Sequence, residues 1–321
     1  MEVSRIVLGI DGGGTRTRCL AATPDGSVLG QGHAGPSNPM VAGLDGAVNS
    51  VVEAVRQALA AAGRTPAEVA AVCAGLAGAG QPETQARVAA ALEKALGLPA
   101  AARVQVVTDA RVALAGALGG RPGAVLIAGT GSVAYGLDDS GRLLRAGGWG
   151  WILGGEGSGF AIGRRALAAG LAALDGTGPT TVLGDLICQA WNLGRLPEAV
   201  PRVYADPAAA RTEIAALVPQ VAQAAAEGDA VACDILRQAG RDLAHLVAAL
   251  LRRMRLQEPL VATAGGVLEG VAAVREALIL DLAELVPDAR VVPGADTPAA
   301  GAVLLARMML SGGCGASDHP E

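Results

Sequence analysis

The stretch that most constrains the fold is residues 6–17, where an apolar run ends in one acid, three glycines and a threonine. The run from Arg5 to Ile10 is short, β-branched and free of polar interior residues, which predicts a buried strand. A second strand is predicted from Thr15 to Ala22. The glycines between the two strands predict a hairpin tip that adopts positive φ and carries no Cβ atoms over its backbone.

Uncovered N–H groups at such a tip can hydrogen-bond an anion. Asp11 comes directly before the tip, where its charge would repel a phosphate unless Mg²⁺ lies between them. The stretch therefore indicates Asp11 for a metal ion and Gly12, Gly13, Gly14 and Thr15 for phosphate. An ordinary glycine turn that binds nothing is the alternative. A Walker A loop is excluded because no Gly-Lys-Ser/Thr follows, and a dinucleotide fingerprint because the third glycine is missing and a strand follows.

Length and charge limit the class of protein. The 321 residues suit two domains, and a net charge of −5 with scattered basic residues predicts no nucleic-acid surface. No apolar run reaches membrane-spanning length, so no membrane partner is expected. The 5 cysteines form no Cys-x-x-Cys pair and a strand begins near the N-terminus, which together predict a cytoplasmic chain without a signal peptide. The spacing of His33, His245 and His319 predicts no zinc site.

The order of predicted elements indicates an α/β fold. A meander of strands comes first, and helices then alternate with strands, as in a mixed sheet covered by helices. Strands are predicted at 5–10, 15–22, 28–34, 69–74, 103–108, 124–128, 133–137, 260–264 and 290–292. Helices are predicted at 45–62, 82–96, 110–118, 160–175, 180–193, 207–226, 229–255 and 298–310. The glycine-rich stretch 147–159 is predicted to be a loop.

The chain repeats its opening hairpin at residues 124–137. A strand ends in Gly129, Thr130, Gly131 and a serine, and a return strand follows. Such a repeat, with a period of about a hundred residues or more, predicts two similar domains. Two hairpins of this kind that face each other across a cleft would hold a chain of phosphates between them.

Two polar residues outside the hairpins are candidates for the site. Asp109 follows a strand and precedes a helix, so it is either a helix N-cap or a functional carboxylate in the crevice where α/β proteins bind ligands. Asn38 stands beside prolines, so it either binds a sugar hydroxyl or amide, or caps a turn.

The glycine-rich loop and a later glycine pair add further candidates. Trp149 either offers its flat face to a sugar ring or is buried as a plug between domains. Glu156 either accepts sugar hydroxyls or caps the helix that follows. Gly265 and Gly266 either allow the chain to approach a nucleotide base or form a simple βα turn.

Taken together, these motifs resemble those of the N-acetylglucosamine kinase and BadF/BadG/BcrA/BcrD-type ATPase family, within the actin/hexokinase-like superfamily. The matching motifs lie at residues 11–15, 108–109, 129–132, 147–158 and 265–266. The resemblance implies two ribonuclease-H-like domains around a nucleotide cleft. The expected domains are 1–118 and 119–297, with the helix at 298–310 as a candidate addition to the first and 311–321 as a tail.

The resemblance also implies a role for each matching residue. Asp11 would hold Mg²⁺ through water, and Asp109 would be the general base. ATP would be held by Gly12, Gly13, Gly14, Thr15, Gly129, Thr130, Gly131, Gly265 and Gly266. The sugar would contact Asn38, Asp109, Gly148, Trp149, Gly150 and Glu156. A homodimer is also expected.

One departure from the family pattern concerns the sugar. Where the family commonly has Gly-Asp-Glu-Gly-Ser, this chain has Gly155 in place of the Asp. Either Glu156 compensates for the missing carboxylate or the sugar differs. The predicted activity is ATP-dependent phosphorylation of the primary hydroxyl of an amino-hexose, with N-acetylglucosamine or glucosamine as first candidates.

Two other functions remain open from the sequence. The related activators of 2-hydroxyacyl-CoA dehydratases are ATPases that carry an iron–sulfur cluster on cysteines of the second domain. This chain has no cysteine between Cys73 and Cys188, which argues against a cluster there. A non-catalytic sugar sensor is the second alternative, although the sensors of the neighbouring repressor family carry an N-terminal helix-turn-helix, whereas this chain begins with the strand.

Overall fold

The computed structural model describes residues 5–311, so Cys314, His319 and most of the predicted tail lie outside the described residues. The strands are β1 Ile6–Gly12, β2 Thr17–Ala22, β3 Val28–Ala34, β4 Val69–Leu76, β5 Arg103–Thr108, β6 Gly123–Ala128, β7 Ser132–Leu137, β8 Leu143–Gly147, β9 Leu260–Ala264 and β10 Arg290–Pro293. The helices are α1 Pro39–Ala62, α2 Pro82–Leu96, α3 Asp109–Leu118, α4 Gly150–Leu153, α5 Gly159–Leu174, α6 Leu183–Trp191, α7 Ala199–Ala205, α8 Pro207–Ala215, α9 Val218–Ala226, α10 Ala230–Met254, α11 Gly266–Gly270, α12 Ala272–Leu285 and α13 Pro298–Leu310. Short 3-10 turns lie at Pro66–Glu68 and Leu196–Glu198.

The first sheet has the strand order β3-β2-β1-β4-β5. The pairs β1–β2 and β2–β3 are antiparallel, while β1–β4 and β4–β5 are parallel. The carboxyl ends of β1, β4 and β5 therefore meet at one edge of the sheet. Asp11 lies at the end of β1 and Asp109 directly follows β5, so both residues belong to this edge.

Both faces of the first sheet are covered, which explains the uninterrupted apolar character of β1. Ile6, Leu8 and Ile10 pack into one core cluster with residues of α1 and α2, and Val7 packs into a second cluster with residues of α13. A Cβ atom at Gly9 would meet the α13 backbone, 2.7 Å from the Ala299 carbonyl oxygen. The absent side chain allows α13 to lie directly on the sheet.

The second sheet has the order β10-β9-β6-β7-β8. Read from β8, this is the order of the first sheet, with a meander of three strands followed by two later strands. α10 and α12 belong to this half, and their backbones approach closely at Gly240, where a Cβ atom would lie 2.5 Å from that of Ala277. The α/β fold and the repeated hairpin topology are thus confirmed.

The described chain divides into two compact units. Residues 5–125, 135–144 and 293–311 form the first unit, and residues 126–134 and 145–292 form the second. The C-terminal helix α13 lies in the first unit, against β1. The domain boundary at residues 118/119 stays a prediction.

Several predicted helix bounds were wrong for identifiable reasons. α1 begins at Pro39 because Asn38 caps it, although Gly43, with φ 71° and ψ 171°, interrupts it before the predicted start at 45. The predicted helix 207–226 is two helices, α8 and α9. Pro219 explains the break because it lacks an N–H and its ring clashes with the carbonyl four residues earlier.

Four further helices, α4, α7, α11 and α12, were not predicted. α12 was missed because it is apolar around most of its circumference and shows no amphipathic period. The predicted loop 147–159 contains the four-residue helix α4. Over residues 5–311, no helix has both the length and the apolar character that crossing a membrane requires.

Candidate functional site

The first hairpin tip is held by backbone hydrogen bonds on both sides. The Gly13 N–H donates to the Arg16 carbonyl at 2.9 Å, and the Ser37 N–H donates to the Gly13 carbonyl at 3.0 Å. The Gly13 N–H is therefore engaged in the turn, contrary to the expectation that the whole tip is uncovered. The N–H groups beyond it, at Gly14 and Thr15, lie on the exposed part of the tip.

Packing requires glycine at Gly12 of this tip, and positive φ requires it at none of the three positions. None of Gly12, Gly13 and Gly14 lies in the left-handed region, so the predicted positive φ was wrong. A Cβ atom at Gly12 would collide with the Ser37 hydroxyl and lie 2.6 Å from Leu76 Cδ2. At Gly14 it would have no neighbour within 4 Å. Gly12 is thus fixed by packing, while Gly14 leaves room for a ligand.

Asp11 and Asp109 form the charged centre of the first unit. Burial raises the pKa of the Asp11 carboxyl, and the negative charge of Asp109 raises it further, while the guanidinium groups of Arg16 and Arg18 act in the opposite direction. Arg18 lies directly opposite Asp11 on β2, so the two side chains share a face of the sheet. A cation between or beside these two carboxylates would favour their ionised forms.

Asp109 is the first residue of α3 but does not cap it. The N-cap is Thr108, whose side chain accepts a hydrogen bond from the Arg111 N–H at 3.3 Å. The N-cap alternative for Asp109 was therefore wrong by one residue. One carboxylate oxygen of Asp109 accepts from the Ala110 N–H at 2.9 Å. Burial raises the pKa of this carboxyl, and backbone hydrogen bonds oppose the rise.

Asn38 caps α1, as one of its two interpretations expected. Its Oδ1 accepts a hydrogen bond from the Met40 N–H at 2.8 Å. The same oxygen packs against Gly78, where a Cβ atom would collide with it. Since the cap uses only the oxygen, a sugar contact through the Asn38 amide nitrogen stays a prediction.

The second hairpin tip is tied to the start of α5. The carbonyls of Gly129 and Thr130 accept from the N–H groups of Gly159 (2.7 Å) and Phe160 (3.3 Å). The Ser132 hydroxyl donates to the Glu156 carbonyl at 2.8 Å. These contacts fix the tip to the glycine-rich segment, a link that no local sequence signal shows.

The tip itself remains open. Cβ atoms at Gly129 and Gly131 would have no neighbour within 4 Å, so this tip has the same open space as Gly14. As in the first hairpin, neither glycine lies in the left-handed region.

Trp149 is exposed over 64 % of its surface, so the alternative of a buried plug was wrong. The Arg145 guanidinium lies over its ring, 4.4 Å from the centroid. The Arg145 carbonyl in turn accepts from Arg253 at 2.8 Å. Arg145 was not predicted, because a cation four residues before an aromatic residue in a glycine-rich segment has no periodicity to reveal it. The stack covers one face of the indole.

Glu156 is engaged by a residue that the sequence did not reveal. Its carboxylate pairs with Arg165 of α5 at 2.9 Å, and Arg165 also pairs with Asp242 of α10 at 2.9 Å. The cap of α5 is Ser158, whose hydroxyl accepts from the Ala161 N–H, so the capping role considered for Glu156 was wrong. Its role toward a sugar stays a prediction.

Gly265 and Gly266 link β9 to the short helix α11. Gly265 has φ 96°, and a Cβ atom there would lie 2.5 Å from the Ala128 carbonyl oxygen. Its N–H donates to the Glu269 side chain at 2.9 Å. The pair is thus a βα turn that requires glycine at Gly265, whereas Gly266 faces open space. A contact with adenosine stays a prediction.

The family model for BadF/BadG/BcrA/BcrD ATPases matches residues 8–306 of this chain. The chain belongs to the BadF/BadG/BcrA/BcrD ATPase family. The match contains both hairpins, Asp109 and the glycine-rich segment, so the resemblance drawn from the motifs is confirmed. A curated relative, the N-acetylmuramic acid/N-acetylglucosamine kinase of Clostridium acetobutylicum, is 33 % identical over 305 residues, which cover 94 % of this chain and 98 % of the relative.

Solved structures of other proteins show the same fold. A Chromobacterium violaceum structure with a provisional N-acetylglucosamine kinase assignment is 30 % identical, with a TM-score of 0.69 over 94 % of this chain and 99 % of that one. A ROK family glucokinase from Streptomyces griseus, in complex with glucose and AMPPNP, has a TM-score of 0.56 at 21 % identity over 94 % and 98 % of the two chains. The second match shows the fold alone, and the actin/hexokinase-like fold is confirmed.

The first unit of this BadF/BadG-type ATPase has a donor set that suits Mg²⁺. The ion is usually bound by one or two carboxylates, water and substrate phosphates. Asp11, whose pKa is raised by burial and further by the neighbouring charge of Asp109, supplies such a carboxylate beside an open glycine tip. Within residues 5–311, no group of three or more His, Cys, Asp and Glu side chains forms a site built by the protein alone. The residues therefore fit an ion that binds together with a nucleotide.

Proposed function

We propose that this chain is an ATP-dependent kinase that phosphorylates the primary hydroxyl of an amino-hexose, with N-acetylglucosamine or glucosamine as the acceptor. The observation that carries the proposal is the pair of partly buried carboxylates, Asp11 and Asp109, at the carboxyl edge of the first sheet beside an open glycine tip. The alignment with a curated kinase over nearly the whole chain supports this reading over the two alternatives.

Asp109 is the general base of the proposed reaction. The carboxylate accepts the proton of the sugar hydroxyl as that oxygen attacks the γ-phosphorus in line with the leaving oxygen. Its raised pKa makes it a stronger proton acceptor than an exposed aspartate, and the Ala110 N–H fixes one of its oxygens. The sugar hydroxyl is proposed to approach the other oxygen.

The two glycine tips supply the phosphate contacts. The exposed N–H groups at Gly14 and Thr15, and the open tip at Gly129, Thr130 and Gly131, can approach phosphate oxygens without steric hindrance. Mg²⁺, when bound by Asp11 through water, would neutralise charge on the phosphates. Gly265 and Gly266 are proposed to lie beside the adenosine.

The proposed sugar contacts are Asn38 and residues of the glycine-rich segment. Asn38 offers its amide nitrogen, while Gly148, Trp149 and Gly150 present an aromatic face on a glycine backbone. The Glu156 carboxylate pairs with Arg165 at 2.9 Å. Glu156 therefore replaces the family's aspartate at the sugar only if this ion pair breaks. A homodimer is part of the proposal.

A panel of sugars assayed with ATP in a coupled ADP assay tests the function. We expect ADP release that depends on N-acetylglucosamine or glucosamine, with the product phosphorylated at the primary hydroxyl by NMR. Sugar-independent ATP hydrolysis would instead favour the activator alternative. Sugar binding without ADP release would favour the sensor.

The first hairpin tip gives a second prediction, which compares substitutions at Gly14 and Gly12. Gly14→Val fills the open space through which a phosphate would reach the N–H of this residue. We expect the KM for ATP to rise by about 10-fold or more, because a lost hydrogen bond to a charged group is worth about 1.5–3 kcal/mol. Its melting temperature should stay unchanged, since the added atoms meet nothing within 4 Å at Cβ.

Gly12→Ala is the matched variant, and it should lower the stability instead of raising the KM for ATP. Its Cβ atom would collide with Ser37 and Leu76, so we expect a loss of about 1–3 kcal/mol in the free energy of unfolding. Thermal and urea unfolding measure the stability, and the coupled assay measures the KM. A Gly14→Val variant with an unchanged KM would show that this tip does not contact ATP.

A further inference from the structure

Glu156, Arg165 and Asp242 form a charged cluster in the second unit in which one cation serves two anions. Nη2 of the Arg165 guanidinium lies 2.9 Å from the Glu156 carboxylate and 2.9 Å from the Asp242 carboxylate. The two carboxylates therefore share a single nitrogen. The other terminal nitrogen, Nη1, is buried and has no hydrogen-bond partner among the described residues.

The Asp242 carboxylate is also incompletely paired. Its Oδ1 accepts a hydrogen bond from the Gln238 side chain at 2.9 Å. Its Oδ2 is buried and, although it lies in the ion pair, accepts no hydrogen bond within residues 5–311. Buried donors and acceptors are normally paired. Since the unpaired Arg165 Nη1 and Asp242 Oδ2 belong to neighbouring side chains, a turn of the guanidinium toward Asp242 can pair them.

The two carboxylates differ in how firmly they hold the cation. The Glu156 side chain is 55 % exposed, whereas that of Asp242 is 17 % exposed. An exposed ion pair contributes little because water screens it, while a buried charge that loses its partner is costly. Glu156 is therefore the partner that can leave Arg165 at small cost, and the hydrogen bond that Asp242 gains offsets this cost.

The backbone of Glu156 is anchored beside a proposed sugar contact. Its carbonyl accepts from the Ser132 hydroxyl at 2.8 Å, and the Ser132 carbonyl accepts from the Gly148 N–H at 3.2 Å. Gly157 packs on α10, where a Cβ atom would lie 2.7 Å from the Ala239 carbonyl oxygen. Because the backbone is held on both sides, Glu156 changes partner by rotation of its side chain alone.

We propose that Arg165 and Asp242 control the release of Glu156 to the acceptor sugar. When the sugar binds, Arg165 turns to Asp242, and the freed Glu156 carboxylate accepts a hydrogen bond from a sugar hydroxyl other than the one that is phosphorylated. Glu156 is the one acidic residue of the glycine-rich segment 147–159, so this segment offers no other carboxylate. The inference rests on the proposed function, and it makes Arg165 and Asp242 positioning residues.

Glu156→Gln tests the contact with the sugar. We expect the KM for the sugar to rise by about 10-fold or more, the scale of a hydrogen bond to a charged group, while the KM for ATP stays the same. Calorimetry of sugar binding without ATP should show the same rise in the dissociation constant. In a panel of mono-deoxy analogues, the analogue that lacks the contacted hydroxyl should bind the original chain poorly and the variant no worse than the full sugar does.

Asp242→Asn tests the release. Asparagine keeps the size of the side chain but has no charge to draw Arg165 away from Glu156. We expect the KM for the sugar to rise by about 3–5-fold, because Glu156 then leaves an exposed ion pair without compensation. In the Glu156→Gln background the same substitution should have no further effect. Asp234→Asn is the matched control, because Asp234 is an exposed aspartate of α10 that pairs with Arg237.

The double variant Arg165→Gln with Asp242→Asn separates release from structural support. It removes the cation together with its buried counter-ion, so neither charge is left unpaired in the interior. Glu156 is then free, and the KM for the sugar should return to that of the original chain. A purely structural role predicts instead that the double variant is worse than Asp242→Asn. Thermal unfolding of each variant checks the fold.

Sugar phosphorylation by the original chain, with a KM that neither Glu156→Gln nor Asp242→Asn changes, would overturn this proposal alone. Additive effects of the two substitutions would do the same, because the release acts only through Glu156. An original chain that neither binds nor phosphorylates any sugar of the panel would overturn the proposed function and the release with it. The two failures are thus distinguishable.

Discussion

Replacing Asp109 by Asn is expected to lower turnover by about 10²-fold or more while the KM for ATP stays near that of the unaltered chain. The substitution keeps the size of the side chain and an oxygen that can accept from the Ala110 N–H. It removes the proton acceptor, together with the negative charge that raises the pKa of Asp11. The measurement is steady-state kinetics in the coupled ADP assay, with ATP and sugar varied separately.

Asp185→Asn is the matched control for this variant. Asp185 also lies in the first turn of a helix, α6, but is exposed in the second unit. Its replacement should leave turnover unchanged. If Asp109→Asn retained most of the turnover, Asp109 would lose its role as the base.

The same variant should be more stable than the original chain near neutral pH. Burial raises the pKa of Asp109 in the folded state, so the folded chain binds more protons than the unfolded chain between the ordinary pKa of 3.8 and the raised value. Stability therefore falls as pH rises through this window, and the loss persists above it. Asn cannot ionise, so the melting temperature of Asp109→Asn should exceed that of the original chain at pH 7 and lose this advantage below pH 3.8.

The raised pKa also sets the pH dependence of the original enzyme. The base must be ionised to accept a proton, so kcat/KM should fall as pH decreases through the raised pKa of Asp109. The acid limb is thus expected above 3.8, the ordinary value for an aspartate. An acid limb at the ordinary value would mean that Asp109 is not the group that titrates.

The sequence was sufficient for features that depend on neighbouring residues. The buried strand before Asp11, the glycine tip and the strand that ends before Asp109 all follow from local pattern. Since the carboxyl ends of parallel strands meet at one edge, even the proximity of Asp11 and Asp109 was within reach. The repeated strand order of the second sheet followed from the repeated hairpin at Gly129.

Features that depend on long-range packing were beyond the sequence. Gly12 looked like a conformational requirement, but its cause is the collision with Ser37 and Leu76 that any side chain there would produce. Glu156 looked available, yet Arg165 occupies it from the next helix. In each case the deciding neighbour is distant in sequence or lies on another element, so no local period or motif could reveal it.

Replacing Asp11 by Asn is expected to lower kcat/KM by about 10–100-fold, the usual loss when a residue that holds a metal through its outer shell is removed. Asn keeps the shape of Asp11 beside Arg18 but loses the negative charge that attracts a divalent cation. The loss should therefore appear first as a higher Mg²⁺ requirement and shrink as Mg²⁺ increases.

A matched pair of variants separates this role from a general effect of charge on the unit. Asp45→Asn removes an exposed carboxylate from α1 and should leave the Mg²⁺ dependence unaltered. Asp109→Asn should lower turnover at every Mg²⁺ concentration, because added ions do not replace a proton acceptor. The ratio of activity at low and high Mg²⁺ thus changes for Asp11→Asn and stays constant for Asp109→Asn. Equal ratios in all three variants would contradict the assignment of Asp11 to the metal.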